Sequence, residues 1–139
     1  MNRILLTLIV PIILFACKKD DIDPVAGIEP VAGSWRQIAV ERIVEGKRTW
    51  EDVSKPESNN LHFRNDGVVT DMEGKANCCG PSSLRINGNI FKIKPTTKLN
   101  YSNCALDLCL DCQEWKIEVT DNELILNLCG SSKTKYVRL

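Results

Sequence analysis

The sequence predicts an all-β protein, a small antiparallel up-and-down barrel of about eight to ten strands. Three observations lead there. From Gly33 onward apolar and polar residues alternate with period two. Turn-forming residues interrupt that alternation at short intervals. No stretch sustains a 3.6-residue apolar repeat bounded by helix caps.

In chain order, strands are expected at 34–44, 48–53, 60–65, 68–74, 83–87, 90–95, 97–102, 113–120, 123–129 and 133–139. Three hairpins have an arguable register. Leu61 and Phe63 alternate before Asn65-Asp66-Gly67, a three-residue loop that suits a type I turn plus bulge. Leu84 and Ile86 precede Asn87-Gly88-Asn89, with Phe91 and Ile93 beyond. A Gly88-Asn89 type II′ turn pairs Ile86 with Phe91 and Leu84 with Ile93, all on one face. That register is expected over an Asn87-Gly88 loop. The third hairpin turns at Asp121-Asn122 and pairs Val119 with Leu124, Ile117 with Leu126 and Trp115 with Leu128. Lys116, Glu118, Ile125 and Asn127 then take the opposite face, as in a sheet with one wet side.

The N-terminus is of a different kind. Arg3 is the only charge in the first sixteen residues, and an apolar run extends from Ile4 to Ala16. That run suits a signal-peptide core better than a membrane span, and Pro11 interrupts it. The chain balances 18 basic against 18 acidic residues, so the part after residue 16 carries 17 basic and 18 acidic side chains. Such a balance excludes a strongly basic nucleic-acid binder, and an apolar content of 43% excludes wholesale disorder.

Leu14-Phe15-Ala16-Cys17 resembles the lipobox of bacterial lipoproteins. The resemblance implies cleavage before Cys17, acylation of its sulfur and new amine, and a firm membrane anchor. No Asp directly follows Cys17, so the usual inner-membrane retention signal is missing. Lys18-Lys19-Asp20-Asp21 is similar to the export tag of surface-displayed lipoproteins in some Gram-negative bacteria. The outer membrane is therefore the expected address. The expected organisation is a signal peptide over 1–16, a lipidated Cys and flexible tether over 17–32, and a barrel over 33–139.

Six cysteines remain: Cys78, Cys79, Cys104, Cys109, Cys112 and Cys129. An exported chain with an even count suggests disulfides. In the third hairpin Cys129 lies opposite Glu114, and Cys112 is two residues further along that face. Cys112–Cys129 is therefore an expected bridge. Cys78 and Cys79 would join Cys104 and Cys109 in an order the sequence leaves open. Cys109-Leu110-Asp111-Cys112 is the rival signal, for a metal or thiol redox site. Zinc sites favour two knuckles and only one is present, so no metal or cofactor is expected.

The body resembles the small lipocalin-like domains carried by bacterial envelope lipoproteins. The matching residues are Gly33 and Trp35 in Gly-x-Trp, Phe63 with Asp66-Gly67, and the terminal Tyr136-Val137-Arg138. The resemblance implies that Arg138 packs across Trp35 and closes the barrel, a contact favoured by the charge of the guanidinium and the quadrupole of the indole.

No catalytic motif is present and His62 is the only imidazole, so an enzyme is not expected. Two functions of different class remain. One is a carrier of a small apolar ligand in the barrel mouth, lined by Trp50, Phe63, Leu84, Ile86, Phe91, Trp115 and Leu126. The other is a side-chain-filled interaction or inhibitor module that uses the loops near Cys78-Cys79-Gly80-Pro81 and 103–112. The expected state is a monomer without nucleic acid.

Overall fold

Residues 26–54, 59–101, 104, 109 and 111–139 are described by the computed structural model. The longest strand is β1 (Gly33–Val44). It is followed by β2 (Lys47–Asp52), β3 (Leu61–Phe63), β4 (Val69–Thr70), β5 (Ser83–Ile86) and β6 (Asn89–Lys92). The last three strands are β7 (Glu114–Val119), β8 (Glu123–Leu128) and β9 (Lys133–Arg138). They form one strongly curled half-barrel sheet in the order β4-β3-β1-β9-β8-β7-β5-β6, with β2 pairing β1.

The β7–β8 hairpin has the expected register, Trp115 to Leu128, Ile117 to Leu126 and Val119 to Leu124. Five of those six side chains are buried, while Leu128 is 38% exposed. The β3–β4 turn is also as expected. Arg64 N donates to Val68 O at 3.0 Å and Gly67 N to Arg64 O at 2.9 Å. Gly67 sits at φ 84°, and a Cβ there would lie 2.5 Å from the Phe91 ring, so the turn tolerates no side chain.

The strand expected over 68–74 is only Val69–Thr70, because the chain turns between Asp71 and Gly74, and three further features differ from the expectation. First, Asn87 and Gly88 both have positive φ, 45° and 90°, and Ile86 pairs with Asn89. The loop is Asn87-Gly88, with the signs of a type I′ turn. Its register differs by two residues from the one expected, so Leu84, Ile86 and Phe91 still share a buried face. Asn87 wins the position because its amide clasps the neighbouring strand. Its Nδ2 donates to Val119 O at 3.0 Å, and Val119 N donates to its Oδ1 at 2.9 Å.

Second, β5 and β7 run parallel, so the sheet is not a pure antiparallel meander. The long connection from Asn87 to Gln113 allows the return in the same direction. Part of it is the stretch 97–102, which the sequence marks as a strand. Residues 97–101 contain only an isolated bridge from Tyr101 to Ala76. Arg85 and Glu114 cross-link the parallel pair through two contacts, at 2.9 and 3.1 Å.

Third, Ile28 and Val31, expected as part of a tether, belong to the folded body. Ile28 and Val31 are fully buried, and Val31 O accepts the Trp35 indole N–H at 2.8 Å. They plug one end of the curl together with Trp35, Phe63, Leu84, Ile117 and Leu124, each at most 1% exposed. Among the described residues the other end is less completely filled.

The open side of the sheet is clasped by Asp66. This carboxylate is 2% exposed and accepts hydrogen bonds from Val68 N, Thr96 N, Thr96 Oγ1 and Arg64 Nη2. It thereby ties the β3–β4 turn to the segment after β6. Burial by itself would raise its pKa, but the bonds from the Thr96 and Val68 amides, the Thr96 hydroxyl and Arg64 hold it below the ordinary 3.8.

Candidate functional site

The unfilled end of the curl contains a cavity of about 680 Å3. That volume is within the usual range for small-molecule pockets. Its floor comes from successive inward positions on neighbouring strands: Gln37 of β1, Tyr136 of β9, Leu126 and Leu128 of β8, and Trp115 of β7. Pairing places these side by side, since Gln37 opposes Tyr136 and Trp115 opposes Leu128. Leu61, Thr70 and Ala76 form the opposite wall.

Tyr136 is buried, and desolvation pushes its phenol up to about 12. The phenol therefore stays neutral over the ordinary pH range. Lys75 stands at the rim, and its ammonium donates to Glu73 at 2.7 Å. That hydrogen bond and the Glu73 charge raise its pKa. Asp71 Oδ1 accepts from the Glu73 and Lys75 amides and shapes this rim loop.

Disulfides brace the mouth. Cys112 is bonded to Cys129, the pair expected from the hairpin, with a Cα–Cα distance of 5.6 Å. The order left open in the sequence is Cys78–Cys104 and Cys79–Cys109. Cys78, Cys79, Cys112 and Cys129 all line the cavity. The CxxC motif is thus split, its two sulfurs pinning different loops.

Of the seven lining residues expected from sequence, Trp115 and Leu126 line this cavity. Phe63, Leu84, Ile86 and Phe91 belong to the packed core instead. They share one buried cluster with Ile28, Val31 and Trp35. Trp50 is outside altogether, 41% exposed on the convex face. A β-bulge explains this placement. The β1–β9 register shifts between Gln37 and Ala39, so Ala39 opposes Lys135 while Gln37 opposes Tyr136. Beyond the bulge Glu41 pairs with Trp50, and its nearly buried carboxylate accepts from Arg48 Nη1 at 2.9 Å. Lys135 Nζ lies 4.8 Å from the Trp50 ring centroid.

Gln37, Leu61, Thr70, Leu128 and Tyr136 were missed as lining residues. Leu128 and Tyr136 had a signal, because each continues the inward alternation of its strand. Gln37 and Thr70 had none, being polar residues buried at inward or edge positions. Among the remaining candidates, Gly33, Trp35 and Arg138 come together at the plugged end, with Arg138 Cζ 4.2 Å from the Trp35 ring centroid. His62 Nδ1 and Ser34 Oγ are hydrogen-bonded at 2.9 Å across a β1–β3 register pair. Cys17 lies outside the described residues.

No protein-family model, curated protein or solved structure gives a significant match to this chain.

Proposed function

We propose that this chain is a lipocalin-like envelope lipoprotein that carries a small, largely apolar ligand in the cavity at the open end of its sheet. In this reading Cys17 bears the acyl anchor in the outer membrane, and residues 18–25 lead to the folded body. The observation that carries the proposal is the uneven filling of the curl. One end is occupied by the fully buried Ile28, Val31, Trp35 and Phe63, while the other holds a space of about 680 Å3 over an apolar floor of Trp115, Leu126 and Tyr136. A barrel that served only as a scaffold would gain stability by filling that space. The disulfides at the mouth also support a preformed pocket, because they limit collapse of the rim loops onto the floor.

The test is native mass spectrometry of the protein purified from its own envelope, beside a Leu128→Trp variant. Leu128 lines the mouth and is partly exposed, so an indole there narrows the space without overpacking the core. The wild type is expected to retain a reproducible low-mass species that the variant loses. Recovery of no small molecule, together with a stoichiometric protein companion, would reject the carrier and favour an interaction module.

A further inference from the structure

The β1–β2 hairpin stands partly clear of the sheet. β9 follows β1 only as far as the Val40–Thr134 pair, whereas β2 continues to Val44–Lys47. Every residue of β2 is exposed. Among the described residues, β2 pairs with β1 alone.

The phase of its free edge follows from the turn. Glu45 and Gly46 have φ values of 51° and 77° and form a two-residue loop between paired Val44 and Lys47. In such a hairpin the flanking residues exchange both backbone hydrogen bonds, and the exchange recurs at every second residue. Val53 N donating to Ile38 O at 2.9 Å continues this phase. Lys47, Thr49 and Glu51 therefore direct their backbone groups toward β1. Arg48, Trp50 and Asp52 direct theirs away, into an edge able to template another strand. The β1–β2 register contains no bulge, and β2 has no proline to blunt that edge.

The sequence of β2 is Lys-Arg-Thr-Trp-Glu-Asp, basic in its first half and acidic in its second. A strand of this polarity complements itself when paired antiparallel. Hydrogen bonding also restricts the register, because residues with outward backbone groups must oppose one another. In the symmetric register Trp50 meets its own counterpart across a two-fold axis. Arg48 of each copy then opposes Asp52 of the other. A shift of two residues either way leaves one of these charges opposite Trp50.

We propose that β2 is a homodimerisation edge, joined antiparallel to a second copy of this chain about a two-fold axis at Trp50. The interface is isologous, as closed dimers require, and extends the two curled sheets into one. A six-residue edge buries less than the roughly 1,200 Å2 of a standard stable interface, so the dimer is weak and concentration-dependent. The proposal does not depend on the ligand-carrier reading.

Sedimentation velocity of the full chain in mild detergent, over a concentration series, tests it. A monomer–dimer equilibrium is expected. Arg48→Asp and Asp52→Arg should each weaken association by about tenfold or more, since two like-charge pairs replace two opposite ones. The double variant should restore the dimer, and mixing the two single variants should give a heterodimer. Unchanged circular dichroism separates these effects from unfolding. A chain that stays monomeric at every concentration overturns the proposal, as does a dimer whose affinity ignores both charge reversals.

Discussion

Arg138 and Trp35 are register partners on the last and first strands of the β1–β9 pair, and the guanidinium lies over the indole at 4.2 Å from its centroid. The same guanidinium donates to Pro30 O at 2.7 Å, Ala32 O at 2.9 Å and Asp121 O at 2.9 Å. It thus ties the segment before β1 and the β7–β8 turn to β9, beside Ile28 and Val31. Gly33 makes room for it, since a Cβ at that residue would lie 3.3 Å from Arg138 Nη1, and φ there is 115°. Arg138→Ala should cost about 2–4 kcal/mol, combining the cation–π contact with charged hydrogen bonds. Arg138→Lys should recover less than half of that loss, because an ammonium cannot stack and reach all three carbonyls together. Urea unfolding with the disulfides intact measures both.

Asn87 separates a backbone effect from a hydrogen-bond effect. Asn87→Ala should destabilise by about 2–4 kcal/mol, from left-handed backbone strain plus loss of the Val119 clasp. Asn87→Gly removes the strain and keeps the hydrogen-bond loss, so its unfolding midpoint should lie between those of Ala and wild type. Equal midpoints for Ala and Gly would show that the strain contributes nothing.

Asp66 sets an acid limit. Its folded pKa is below the ordinary value, so its contribution is complete above about pH 4 and lost as pH falls toward the folded value. Asp66→Asn should lower stability at pH 7 by about 1–3 kcal/mol through the loss of charge-assisted bonds. It should also flatten the fall in stability below pH 4. Denaturant midpoints at a series of pH values check both effects, and parallel curves for the two proteins would contradict them.

The Cys112–Cys129 bridge closes a 17-residue separation at the cavity mouth. Replacing both with Ser should cost about 3 kcal/mol by restriction of the unfolded chain. If the bridge also holds the pocket open, the variant should bind a solvatochromic apolar probe less tightly under conditions where it remains folded. An unchanged affinity would assign the bridge to stability alone.

Local chemistry made much of this molecule legible. Period-two alternation marked nearly every strand, the Asn65-Asp66-Gly67 turn followed from its residues, and Trp115 through Leu128 specified a hairpin register. That register in turn made Cys112 and Cys129 neighbours. Such features depend on residues close in sequence, where turn geometry and side-chain parity leave few options. The rest depended on distant partners. The Asn87-Gly88 loop required a β7 strand for Asn87 to clasp. The bulge after Gln37, read only against β9, moved Trp50 from the expected lining to the convex face. Ile28 and Val31 looked like tether until a curled sheet gave them an interior to fill. The cavity belongs to this second class. Alternation says which side chains point inward, but only the length and cover of neighbouring strands decides where inward-pointing side chains meet and where they leave space.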